Sequence, residues 1–196
     1  MTMPRWLLVA ALSAAVASPA SAQRLVRHGF WMDLGGGYGR ERVVCLRCQN
    51  DRGANGKAVT FSIGGTASRY VLIGVEGQIW TGNEAQLHEI LRSVNLVVHW
   101  YPWGTRNGFF VRGGTGIVDG TAIASDSSGQ QVTVKGFGLG ISASLGYDFP
   151  ITNRLALTFT AGDQIAALGD LVAVGGLQAD DTIAYLSRLS IAITFR

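Results

Sequence analysis

The sequence predicts an all-β fold, an eight-stranded antiparallel up-and-down transmembrane β-barrel. Three observations predict it: an apolar composition that is poor in charge, a final stretch that alternates between apolar and polar side chains, and a repetition of that alternation along the chain. Successive side chains of a strand point to opposite faces, so alternation gives a strand one apolar and one polar face. A barrel closes when its last strand pairs with its first, which leaves no exposed edge.

The final stretch, residues 182–196, contains neither Gly nor Pro. Leu189, Ile191 and Ile193 fall on one parity of this stretch, whereas Arg188 and Ser190 fall on the other. A strand of this length leaves unpaired backbone groups on both sides unless neighbouring strands receive it. We therefore expect it to close a barrel.

The composition indicates a membrane protein without a membrane-spanning helix. The chain is 47% hydrophobic and 15% charged, whereas soluble domains carry about 25% charged residues. No stretch beyond the N-terminal segment approaches the roughly 20 continuous apolar residues of such a helix. Lipid-facing side chains of a barrel occupy every second position, so they add apolar content without long runs. The net charge of +3 and the lack of a basic run with interleaved aromatics give no indication of nucleic-acid binding.

The N-terminal segment, residues 1–22, has the pattern of a cleavable signal peptide. Arg5 supplies a positive start, residues 6–17 form an apolar run, and residues 18–22 are small and end at Ala22. The alternative, a membrane-anchor helix, needs a longer apolar run. Residues 23–196 are then the β-barrel domain.

Seven strands are predicted before the final one, because each has apolar side chains at alternate positions. Their expected ranges are 29–39, 58–68, 70–80, 90–101, 109–118, 135–149 and a strand that begins at residue 155. The outward apolar positions include, in chain order, Leu34, Phe61, Ile73, Leu96, Ile117, Leu139 and Phe159. The opposite parity is mostly small or polar, and Tyr70, Gln78 and Trp80 also fall on it.

The connections are predicted to alternate between long and short. Polar residues and turn signals predict long loops at 40–57, 81–89, 119–133 and 163–181, and short turns near residue 68 and at 102–108 and 150–154. Outer-membrane barrels have short periplasmic turns and longer extracellular loops. Aromatic residues beside the short turns are expected to form the periplasmic interfacial girdle: Trp100, Tyr101, Trp103, Phe109, Phe110, Tyr147, Phe149 and Phe195.

The pieces "GFWMDLGGGYG", "VRGGTG" and "GLGISASLGYDFPITNRLAL", together with the signal peptide and eight strands, resemble the small bacterial outer-membrane barrels of the OmpA/OmpX type. The resemblance implies a monomer in the outer membrane that contacts its lipids and whose last strand is recognised by the barrel-assembly machinery. That family often ends on an aromatic residue, whereas here Phe195 is followed by Arg196. The expected role is non-enzymatic, in envelope structure or in surface interaction through extracellular loops. The alternatives are a narrow, porin-like passive channel and a lipid-modifying enzyme.

Charged residues on the inward parity are predicted to pair inside the barrel. They are Asp33, Glu76, His99, Arg112, Asp148 and Arg188. Side chains fill the interior of an eight-stranded barrel, and an unpaired charge there is costly. We therefore expect Arg112 and Arg188 to pair with Glu76 and Asp33, either as a structural plug or as the lining of a gated pore.

Cys45 and Cys48 lie three positions apart in a polar stretch. In an exported protein such a pair can form a local disulfide, which we favour. A metal site lacks further soft ligands nearby, and a thioredoxin-like role lacks its βαβ context. We predict no metal and no cofactor.

No residue is assigned a catalytic role. His88, with Glu84, Glu89 and Ser93 nearby, is the nearest approach to a Ser–His–acid grouping. A soluble, lipocalin-like barrel is the structural rival, and it would place Phe137 inside rather than on the outer wall.

Overall fold

A computed structural model describes residues 29–45, 52–84, 87–103, 108–125, 131–173 and 178–196. These residues form a meander of antiparallel strands. In chain order the strands are β1 (Phe30–Cys45), β2 (Arg52–Ser68), β3 (Val71–Glu84), β4 (Leu87–Trp100), β5 (Phe109–Ser125), β6 (Gln131–Pro150), β7 (Leu155–Ala173) and β8 (Gln178–Phe195).

The eight strands close into one barrel, as the alternation predicted. Each strand pairs with the next in the sequence, and β1 completes the ring by pairing with β8, where Gly36 lies opposite Ile191. Ladder hydrogen bonds therefore run continuously around the wall, which satisfies the backbone without a free edge.

No helix among the described residues has the length and apolar character needed to cross a membrane.

The two faces of the wall differ as the sequence predicted. Large apolar side chains point outward and are exposed, including Leu139 at 69%, Leu189 at 67% and Leu96 at 64%. Phe137 is also 64% exposed on the outer wall, so the lipocalin alternative is wrong. Along β6 the apolar band runs from Phe137 to Phe149, a height of about 28 Å at the usual strand rise and tilt. An exposed apolar band of this height matches the hydrocarbon core of a membrane.

The predicted long loops are wrong over most of their length, because the strands continue into them. β1 runs to Cys45 and β2 begins at Arg52, although residues 40–57 were expected to be a loop. The same holds where β3, β5 and β7 extend to Glu84, Ser125 and Ala173. In a closed barrel each backbone group beyond the apolar band still has a partner on the next strand, so polar residues remain in the ladder.

Three aromatic residues lie elsewhere than predicted. Tyr101 and Phe110, expected in the interfacial girdle, are 0% and 1% exposed inside the lumen. Both side chains follow the inward-facing alternate positions of β4 and β5, and this alternation continues to the strand ends. Tyr70, expected to point inward, is exposed in the turn between β2 and β3.

Large inward aromatics fit because glycines face them. A Cβ atom on Gly74 would lie 2.7 Å from Cζ2 of Trp31, and one on Gly146 would overlap the ring of Phe110. Real Cβ atoms do not approach so closely, so these positions of the inner wall require glycine. The lumen is consequently less polar than the sequence suggested, with apolar side chains stacked at both ends.

Candidate functional site

The centre of the lumen holds a buried ion triad, formed by Glu76 on β3, Arg112 on β5 and Arg188 on β8. Nη1 of Arg112 lies 2.6 Å from Oε2 of Glu76, and Nη2 of Arg188 lies 2.9 Å from Oε1. Ser62 also donates its hydroxyl to Oε2 of Glu76, at 3.4 Å. All three charged side chains are at most 7% exposed. One carboxylate thus joins strands from three parts of the wall.

The structure brings three of the four predicted network residues together. Asp33 on β1 is 6% exposed and lies opposite Ser62 in the β1–β2 register. It forms no ion pair with Arg112 or Arg188. Glu76 is therefore the carboxylate that contacts both arginines directly.

An apolar layer lies on the short-turn side of the triad. Its buried members are Trp31, Leu72, Val97, Tyr101 and Phe110. The imidazole of His99 lies between two of these rings, 4.8 Å from the Trp31 centroid and 5.2 Å from the Phe110 centroid. His99, which the sequence placed on the inward parity, is therefore part of the packing of this layer.

A second ion pair closes the short-turn mouth, and the sequence analysis missed it. Asp148 accepts hydrogen bonds from Arg196 Nη2 at 2.6 Å, from Tyr101 Oη at 2.9 Å and from Thr158 Oγ1 at 2.6 Å. The Asp148 side chain is 0% exposed and the Arg196 side chain 4%. Counting the inward parity of β8 onward from Thr194 would have placed Arg196 in the lumen.

The opposite end of the lumen is filled by a larger apolar cluster. It contains Ala54, Ala58, Trp80, Leu91, Val118, Ala166, Leu168, Ala184 and Leu186. Between this cluster and the triad, Gln78 donates to Gln164 across the barrel at 3.2 Å. Ions, amides and apolar groups therefore follow one another along the axis.

Little free space remains between the triad and the mouth pair. The cavity there, lined by residues that include Asp33, Arg112 and Asp148, has a volume of about 10 Å³. That volume is close to the smallest that holds one water molecule. The side chains that line this cavity therefore leave room for about one water molecule.

Beyond the apolar band, on the extended-strand side, two carboxylates face the interior. Glu41 lies between Arg40 and Arg42, whose side chains point outward and are exposed above the band. Burial raises the pKa of Glu41 to about 8, and the negative charge of Glu89 contributes to the rise. Glu41 is therefore protonated in the folded barrel at neutral pH.

This shift makes stability depend on pH. Between pH 4.5 and about 8, the unfolded chain has lost the Glu41 proton and the folded barrel keeps it. The free energy of unfolding should therefore fall as pH rises through this window, by up to about 1.4 kcal/mol per pH unit. Urea titrations at pH 5, 6.5 and 8 measure this slope, and Glu41→Gln should flatten it. An unchanged slope in the variant would contradict the assignment.

His88 and Ser93 are not assembled as a catalytic pair. Nδ1 of His88 lies 2.5 Å from Oδ1 of Asn83. Ser93 instead faces the lumen, where its hydroxyl accepts from Asn95 Nδ2 at 3.2 Å. Within the described part of the chain, no three His, Cys, Asp or Glu side chains are arranged to hold a metal ion.

Two predicted features fall outside the described residues. Residues 1–22 lie there, as does Cys48, and only the backbone of Cys45 at the end of β1 is described. The signal peptide and the Cys45–Cys48 disulfide therefore remain predictions.

Solved structures with a similar fold are outer-membrane barrels. Neisserial surface protein A is 14% identical, with a TM-score of 0.57 over 85% of this chain and 96% of that chain. Ail, the attachment invasion locus protein of Yersinia pestis, is 16% identical, with a TM-score of 0.58 over 86% and 99%. The N-terminal β-barrel domain of Pseudomonas aeruginosa OprF is 15% identical, with a TM-score of 0.50 over 86% and 98%. No family model and no curated protein sequence matches the chain.

The closed wall and its apolar band define a transmembrane β-barrel. Its fold is that of the small eight-stranded outer-membrane barrels, the OmpA/OmpX-like class that the sequence resembles. The chain therefore has the fold of an integral membrane protein.

Proposed function

We propose that this protein is a non-enzymatic outer-membrane barrel with a closed lumen, which serves envelope structure or surface interaction through its extracellular end. The observation that carries the proposal is the succession of the apolar cluster, the Glu76 triad, the His99 layer and the Asp148–Arg196 pair along one axis. A lumen filled in this way supports the wall and leaves the outer surface and the extended strands for contact.

Energetics favour a permanent plug over a gate. Opening a path would separate Glu76 from at least one arginine while the groups remain buried, and an unpaired buried charge costs several kcal/mol. An ion that moved through the resting barrel would face this free-energy barrier at the triad and again at Asp148. The narrow-channel alternative is for this reason the weaker candidate.

Planar-bilayer recording tests the closed lumen. The purified barrel should give no conductance steps at moderate voltage, in a bilayer where a general porin added afterwards conducts normally. Discrete, reproducible steps that disappear in a heat-unfolded sample would overturn the plug and favour a channel.

The absence of enzymatic activity needs a separate test. His88 contacts Asn83, whereas Ser93 faces the lumen, so these two side chains form no nucleophile–base pair that would support lipid modification. Mass spectra of lipid A from cells with and without the protein should be identical. A difference in acylation that follows expression would establish the enzyme alternative.

We also propose that residues 1–22 are removed on export, as the pattern ending at Ala22 indicates. N-terminal sequencing of the outer-membrane form should begin at Gln23. An intact N-terminus in that fraction would contradict cleavage.

A further inference from the structure

The outer wall carries a basic cleft above an apolar groove, along the seam where β1 pairs with β8. The described residues lining the cleft are Arg40, Arg42, Val44, Tyr185 and Ser187, and its volume is about 450 Å³. Their side chains point outward, on the extended-strand side of the apolar band. This cleft belongs to the wall and not to the plugged lumen.

The apolar groove begins at the next pair of outward-facing residues after the cleft, in the direction of the apolar band. In the β1–β8 register, Arg40 pairs with Ser187, and the next outward pair is Tyr38 with Leu189, which lines the groove. The groove has a volume of about 660 Å³, within the range of about 300–1,000 Å³ that is typical of ligand sites. Because the two sites share adjacent residue pairs, they form one continuous surface.

Small residues make the groove. Gly36 and Ala161 lie on its floor, between larger side chains that include Phe159, Leu145 and Ile191. A Cβ atom on Gly36 would make only an ordinary contact, at 3.8 Å from the Ala58 carbonyl oxygen. The space above Gly36 is therefore open, and a larger side chain could occupy it without disturbing the fold.

Among the described side chains, the positive charge of the cleft is only partly balanced. No ion pair joins Arg40 or Arg42 to a carboxylate in the described ranges. The nearest acid in the register is Asp163 on β7, which accepts a hydrogen bond of 2.5 Å from the Ser187 hydroxyl. The described charged groups at the cleft are therefore two guanidinium groups and one carboxylate, and guanidinium groups bind phosphate in bidentate geometry.

We propose that this surface binds a phosphorylated glycolipid of the outer leaflet, with a head-group phosphate on Arg40 and Arg42 and acyl chains in the groove above Gly36. Short turns of outer-membrane barrels face the periplasm, which places the cleft at the external interface. Charge complementarity and the continuity of cleft and groove both fit an anionic head joined to apolar chains. The proposal rests on the membrane location and not on the closed lumen.

The test titrates the full-length mature barrel, in detergent micelles, with bisphosphorylated lipid A and counts bound lipid by native mass spectrometry. Arg40→Gln with Arg42→Gln should weaken binding at least about tenfold, because charge-assisted contacts to phosphate are lost. The matched control, Arg92→Gln with Lys135→Gln, removes the same charge from outward positions on β4 and β6, away from the β1–β8 seam, and should change the affinity less than about twofold.

A second pair of variants tests the groove at constant charge. Gly36→Leu should fill the groove and weaken binding, whereas Gly113→Leu, where an added Cβ meets nothing within 4 Å, should not. Gel mobility before and after heating establishes that each variant is folded.

Several results would overturn the proposal. Equal losses of affinity in the two charge variants would indicate nonspecific attraction of the lipid to positive charge on the outer wall. Equal effects of the two leucine variants would exclude the groove as the site of the acyl chains. Equal binding of dephosphorylated lipid A would exclude phosphate recognition, and phosphatidylglycerol bound as tightly would identify a glycerophospholipid as the occupant. None of these results changes the conductance or lipid A measurements that test the proposed function.

Discussion

Replacing Glu76 by Gln is expected to lower the free energy of unfolding by about 3–5 kcal/mol, the usual loss when one partner of a buried ion cluster is removed. Arg112 and Arg188 would keep their charges inside the barrel with no carboxylate between them. Glutamine has nearly the same shape, so the loss reports charge and not packing. Equilibrium urea unfolding of the barrel in lipid vesicles, followed by tryptophan fluorescence, measures it.

Two controls separate the triad from a general loss of acid. Asp119→Asn removes a carboxylate from an exposed pair, where Arg92 Nη1 lies 3.7 Å from Asp119 Oδ1, and should cost less than about 1 kcal/mol. Replacing all three triad residues by Met should cost less than Glu76→Gln alone, because no buried charge is left unpaired. A triple variant that is less stable than Glu76→Gln would contradict this account.

Replacing Asp148 by Ala is expected to loosen the short-turn mouth, with a loss of about 3–5 kcal/mol in unfolding free energy. The change removes the acceptor for Arg196, Tyr101 and Thr158 at a position that is 0% exposed. Hydrogen exchange followed by mass spectrometry should show faster exchange in the peptide that contains the end of β8.

Asp148→Asn serves as the matched variant, since it keeps one acceptor oxygen and the volume of the side chain. It should lose the ion pair and keep one of the two hydroxyl bonds, because Tyr101 and Thr158 donate to different oxygens of Asp148, and it should show an intermediate effect. Exchange in β2 and β3 near Glu76 should stay unchanged in both variants. If exchange instead rises uniformly around the barrel, the mouth pair does not act locally.

The sequence was most informative where the bilayer imposes a single requirement. Leu189, Ile191 and Ile193 must all be apolar because they face hydrocarbon, so parity alone places them on the outer wall. Beyond the apolar band that requirement ends. Arg40, Glu41 and Arg42 are charged on both faces, and their charge resembled a loop although the ladder continues through them.

The lumen was less predictable, because its contacts depend on which strands face each other across the axis. Glu76 and Arg188 are 112 positions apart, and no local pattern relates them. Parity identified Arg112 and Arg188 as inward residues, but it could not show that Glu76 would bind both while Asp33 binds neither. The packing of Trp31 against Gly74 was also not predicted, because the sequence does not distinguish a glycine that makes room for a ring from any other glycine.

The barrel's two-sided wall is tested most directly by contact with lipid. In methyl-labelled protein in nanodiscs, the methyl groups of Leu139, Ile141, Leu189, Ile191 and Ile193 should show nuclear Overhauser effects to the lipid acyl chains. The methyl groups of Leu72, Leu91, Val97 and Val118 should show none, because they are at most 2% exposed inside the lumen. Lipid contacts from the second set, or their absence from the first, would contradict the membrane-spanning barrel.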